Sequence, residues 1–166
     1  SIDGCNEVFD YQRAPAKWSH VYNNLKKIEE RNDIKFKCWY AFTITPYNVF
    51  HLPEFMKWKL VESGLTKFNP IESHRPIVSY HMCHSPKYYN VKVLPPEIKQ
   101  AVVEHYKPYK EWIETTNFDR KVKIHFVKHL NSVEKFMLSE DYSDKWLQVF
   151  FRYIVFIYNI LNLFIH

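Results

Sequence analysis

The residues able to do chemistry gather in three short stretches. The first opens the chain: "SIDGCNEVFDYQR" sets the Ser1 hydroxyl and the Asp3 carboxylate at a strand-like start, with Arg13 closing the polar stretch behind them. A serine hydroxyl donates and accepts, and arginine is a permanent cation whose planar fork suits a carboxylate better than the point charge of lysine. Asp3 could bind a ligand or cap the turn that follows it. The second stretch, "TITPYNVF", holds Asn48, whose amide could bond a ligand or close a Pro-Tyr-Asn turn. The third, "HMCH", places His81, Cys83 and His84 together. It offers no fourth ligand at metal-site spacing, and neighbouring side chains of a strand point to opposite faces, so no metal site is expected. Cys83 reads as a core residue, with His81 and Cys83 as candidates to face a substrate.

Elements must carry these stretches to one place. Residues 1–3 read as a strand end and 4–14 as a polar loop. Trp18, Val21, Tyr22, Leu25 and Ile28 fall at helical spacing between Lys17 and Arg31. Ile34–Thr45, rich in β-branched and aromatic residues, reads as a strand running into a buried sheet. "LPEFMKWKLVESG" reads as a helix with Pro53 in its first turn and Gly64 at its end. A strand over Pro76–Met82, a helix opened by Pro95 and Pro96 and running to about Thr115, and another over Asp119–Leu138 follow. Strands alternating with helices imply βαβ units and a parallel sheet. Ligands in such folds sit at the C-terminal ends of the strands, here Ser1–Gly4, Thr43–Asn48 and His81–Ser85.

Composition narrows the classes. A chain of 166 residues is one domain's worth, and only two glycines argue against a barrel of tight hairpins. Its 23 basic residues are interleaved with 18 acidic ones, so no block of charge marks a nucleic-acid arm. Tyr88 and Tyr89 in "PKYYNVK", flanked by lysines, make the best candidate for an exposed binding loop. Cys5, Cys38 and Cys83 lie far apart without a CxxC pair, which fits reduced cytosolic thiols and a cytoplasmic protein. The tail, "WLQVFFRYIVFIYNILNLFIH", nearly reaches the ~20 residues of a membrane span. It admits three readings: a last helix buried on the body, a tail anchor, or a frameshift or truncation artefact. Arg152, Asn159 and Asn162 weigh against the anchor, leaving a membrane partner only if the tail is one.

With Ser1, Ile2, Asp3, Gly4, Glu7, Asp10, Arg13, Trp18, Val21, Asn24 and Leu25, the opening resembles the fourth strand and helix of radical S-adenosylmethionine (SAM) enzymes of the SPASM/twitch-like group. "TITPYNVFHLPEF" resembles the strand and helix that follow there, with Asn48 in its place. The likeness is specific over residues 1–62 and fades by about 115.

The resemblance implies the C-terminal half of a parallel (β/α) barrel over residues 1–115, followed by a helical extension over 116–166. It also implies a piece of a longer enzyme, cut before the Ser-Ile-Asp-Gly strand. The family's CxxxCxxC loop, which holds a 4Fe-4S cluster, and its Gly-Gly-Glu-Pro strand both precede that point. By the resemblance Ser1 belongs to a ribose contact and Arg13 to the SAM carboxylate, with Asp3 and Asn48 as further cofactor contacts and His81 and Cys83 near the substrate. The implied parent cleaves SAM reductively, draws electrons from a reductant and abstracts hydrogen from a peptide or small molecule. This chain alone should not ligate the cluster. The rival readings are a non-catalytic α/β module that binds protein or nucleic acid, and another (β/α) barrel using His81–His84 for acid–base work.

Overall fold

A computed structural model of the protein describes residues 1–33, 38–68 and 77–163, with side chains through Phe156. The fold is mixed α/β and mostly helical. In order come α1 (Asn6–Gln12), α2 (Trp18–Glu30), β1 (Ala41–Ile44), α3 (Leu52–Val61), β2 (Ser79–Met82), two 3-10 turns (Lys87–Tyr89 and Val91–Val93), α4 (Pro96–Thr115), α5 (Arg120–Leu138) and α6 (Ser143–Leu163). The first helix lies where the sequence reads as a loop. It spans two turns and buries only Phe9, too little apolar repeat to show in a sequence.

β1 and β2 pair in parallel, Ala41 opposite Ser79 and Thr43 opposite His81. Both strands are shorter than expected from sequence. The early part of the first (34–37) and the start of the second (Pro76) fall outside the described residues. The opening residues add an extended segment on the other side of β1. Ile2 N–H donates to the Ala41 carbonyl at 2.9 Å and the Ser1 hydroxyl reaches the same oxygen at 3.2 Å. Asp3 Oδ1 accepts from Thr43 N–H at 2.7 Å, so the segment runs in the same direction as β1.

Side chains alternate across these strands, and the two faces differ. Phe42 and Ile44 are fully buried, and Tyr80 and Met82 pack against the same core. The Phe42 ring meets Phe55 of α3 at 5.2 Å, and Tyr80 meets His129 of α5 at 4.7 Å. The opposite face carries Ala41, Thr43, Ser79 and His81, half-buried to exposed. A parallel sheet is ordinarily covered on both faces. Here, among the described residues, the helices cover one and small or polar side chains line the other.

The core continues through an aromatic cluster joining α2 and α3, with Trp18 meeting Trp58 edge-on at 5.2 Å. Tyr106 of α4 is buried and donates to the Val49 carbonyl at 2.6 Å, tying α4 beneath the β1–α3 turn. α6 lies against the 3-10 turns: Phe150 is buried, and Tyr142 N–H donates to the Lys92 carbonyl. Phe151, Val155 and Phe156 remain more than half exposed, so up to Phe156 the helix packs by one face. Among the described residues no helix is long and apolar enough to cross a membrane.

Candidate functional site

Past the C-terminal end of β1 lies a concavity of about 350 Å³, walled by Asp3, Gln12, Arg13, Thr43 and Thr45 on its polar side. Tyr11, Tyr47 and Tyr89 complete it. Three segments converge there because each turns at the same level: the opening segment into α1, β1 into the Pro46–Phe50 turn, and β2 into the 3-10 turns.

Asp3 and Arg13 meet at the rim. The guanidinium ion-pairs with the Asp3 carboxylate and donates to the Ser1 hydroxyl at 2.8 Å. Asp3 is thus shared between Arg13 and the β1 backbone, which fixes the guanidinium against the sheet. Two buried donors on the same wall, Arg13 Nε–H and a Gln12 Nε2 amide hydrogen, have no acceptor among the described residues. A buried unpaired donor costs about 1–3 kcal/mol, and both nitrogens are closed off behind the wall rather than open to the concavity.

Asn48 stands beneath this wall, fully buried. Its Nδ2 donates to the Asp3 and Thr43 carbonyls, each at 2.9 Å, and to Gln12 Oε1 at 3.3 Å. Its Oδ1 accepts from Thr45 N–H at 2.9 Å. Every polar atom is therefore engaged within the chain, and Asn48 acts as the brace that joins the opening segment, β1 and α1. Gly4 holds the next position. A Cβ there would meet Val8 at 2.9 Å and His51 at 3.1 Å, so it lets α1 close onto α3.

His81, exposed, is the register partner of Thr43 and shares the open face of the sheet. Cys83 lies just beyond, half-buried; its thiol contacts the Ser85 carbonyl and burial raises its pKa. His84 turns away to stack edge-on against Phe136. Ser1, Asp3, Arg13 and Asn48 thus form one bonded group, with His81 on the adjoining face and Cys83 past its end.

Sequence reasoning missed Gln12, which belongs to the unforeseen first helix, and Tyr11 beside it. It also missed a second polar set behind the sheet. Cys5 N–H donates to His51 Nε2 at 3.1 Å, and His51 Nδ1 lies 2.7 Å from Glu54 Oε2. Cys5 Sγ is 3.3 Å from the same Nε2. This resembles a nucleophile with its base, yet burial and nearby glutamates push the Cys5 thiol up to about 12, which leaves it protonated and unreactive.

The described residues include no group of three His, Cys, Asp or Glu side chains able to hold a metal ion. An iron–sulfur cluster needs several thiolates at one point, and Cys5, Cys38 and Cys83 do not supply them. No protein-family model, curated protein or solved structure matches the chain.

Proposed function

We propose that the chain is part of a radical SAM enzyme, and that the open face of its sheet is the interior of a half-barrel whose mouth receives SAM. One observation carries the reading. Arg13, a permanent cation whose side chain stays partly exposed, and Gln12 line a concavity at the C-terminal end of a parallel strand. An amino-acid carboxylate in it would meet the guanidinium charge of Arg13. The Thr43 and Thr45 hydroxyls line the concavity and the Ser1 hydroxyl lies beside Arg13, so a ribose bound there could bond them. Asp3 keeps the guanidinium oriented, Asn48 holds the wall, and Arg13 supplies the permanent charge. His81 is the side chain on the open face best placed to meet a peptide or small-molecule substrate, and Cys83 stands at its edge.

When bound beside a reduced cluster, SAM supplies hydrogen-abstracting chemistry. The cluster itself does not fit this chain's residues, and no step through it is assigned to them.

The test is a titration of the isotope-labelled chain with SAM followed by NMR. Shifts are expected at the Gln12 side-chain amide, Arg13 Nε, Thr43 and Thr45, and Arg13→Ala should weaken binding at least about tenfold through loss of a charge-assisted pair. An unchanged spectrum at high SAM concentration, or equal binding by the variant, refutes the reading. A non-catalytic docking module has in its favour the exposed Phe151, Val155 and Phe156 of α6. That reading predicts a silent SAM titration.

A further inference from the structure

The outward side of α6, away from Phe150 and its seat on Tyr47, combines exposed apolar side chains with cations. Phe151 and Val155 lie one turn apart, with Phe156 across from them, and all three are more than half exposed. Lys145 and Arg152, both exposed and two turns apart, make a basic row between Val155 and Phe156. Trp146 and Tyr153, also two turns apart, stand along one flank: the Lys145 ammonium lies 5.5 Å from the Trp146 ring centre, and Tyr153 stacks on Tyr88 at 4.5 Å. Acids are scarce here. Asp144 sits in the first turn, where it complements the helix dipole, and the sequence from Lys145 to Leu163 holds no Asp or Glu. Glu140 and Asp141, just ahead of the helix, are engaged by Lys92 and Lys99.

We propose that the outward face of α6 docks the protein on a lipid surface rich in anionic headgroups, with the helix lying in the interface rather than spanning it. Charge selects this occupant. The Lys145 and Arg152 stems are long enough to keep their cations at headgroup level while Phe151, Val155 and Phe156 enter the acyl boundary. Trp146 and Tyr153 have an apolar body and a polar tip, which suits the same level. Arg152 would be costly in the hydrocarbon core but meets phosphate at the surface, and no described helix is long and apolar enough to cross a membrane. The net charge of +5 adds a pull toward an anionic surface. A second copy seated on this face would instead have to bury two cations from each chain against one acid, Asp144. Docking does not depend on what the β1 concavity binds and is compatible with either reading of it.

The test is co-sedimentation of the full chain with vesicles of equal parts phosphatidylcholine and phosphatidylserine, and with vesicles of phosphatidylcholine alone. Binding to the anionic vesicles should be at least about tenfold tighter, since each cation near such a surface is worth about fivefold, and high salt should weaken it. Phe151→Gln with Phe156→Gln should weaken that binding at least about tenfold, and Lys145→Glu with Arg152→Glu should abolish the preference for phosphatidylserine. All four side chains are exposed, and far-UV circular dichroism checks that both variants fold. A parent that stays in the supernatant, equal binding to the two kinds of vesicle, or binding that survives the paired phenylalanine substitutions overturns the proposal. Sedimentation velocity without lipid should show a monomer; a dimer split by the phenylalanine substitutions assigns the face to a second copy and overturns lipid docking. No SAM enters the test, so a silent SAM titration leaves the docking face standing, and a failure to dock leaves the proposed function standing.

Discussion

Single buried charges set much of how this molecule responds to pH. Lys59 is 5% exposed and its ammonium donates to the Leu65 carbonyl at 2.7 Å, and burial lowers its pKa to about 8. The folded value lies below the unfolded one, so the unfolded chain holds more protons between about pH 8 and 10.5. The full penalty applies below that window and fades as pH rises through it. It amounts to about 3 kcal/mol at 1.36 kcal/mol per pKa unit. Lys59→Met should therefore raise stability at pH 7 by about 1 kcal/mol, after loss of the hydrogen bond, and the gap to the parent should reverse by pH 10.5 in urea melts. His129 works at the acid end. Burial, with His125 and Lys128 nearby, lowers its pKa to about 4. Its contribution is complete above pH 6.5 and is lost as pH falls toward 4, and His129→Leu should flatten that part of the stability profile relative to the parent. Asn48→Ala should cost about 3 kcal/mol in denaturant melts, since the Asp3 and Thr43 carbonyls lose their donor inside the protein.

At the scale of elements, the chain turns sharply twice on glycine, for different reasons. Gly64, after α3, has φ +62° with no heavy atom within 4 Å of an added Cβ, so Gly64→Ala should cost only the left-handed penalty of about 1 kcal/mol. Gly4→Ala adds a clash with Val8 and His51 and should cost more, with the same urea midpoint as readout. The long helices were legible in the sequence because each repeats apolar residues over several turns: α2 through Trp18 and Leu25, α5 through Val122, Phe126, Leu130 and Val133. Pro53 and Pro96 marked two helix starts for the same local reason. Strand lengths were not legible, because Tyr40 and Phe42 are apolar whether a run pairs with a neighbour or only packs. The site was half legible. Ser1, Asp3 and Arg13 do meet, but neither the closeness of Gln12 nor the full use of Asn48 is visible without the fold of α1.

The whole molecule depends on α6 as a strap. Two buried lysines fasten its approach: Lys92 lies 3.4 Å from Glu140 and 4.4 Å from the Phe136 ring centre, and Lys99 lies 3.1 Å from Asp141. Phe150 then seats α6 on Tyr47 at 5.1 Å. Phe150→Ala should cost about 3 kcal/mol and open α6 to limited proteolysis before the rest of the chain. The concavity draws on both extremes of the described chain: Asp3 and Arg13 on one wall, Tyr47 on the other with Phe150 behind it. As a polypeptide leaves the ribosome, α2, α3 and α4 can begin packing while this pocket still lacks its backing. The polar wall of the concavity is thus made well before the helix that backs Tyr47, so the two sides of one pocket are joined only once α6 has docked.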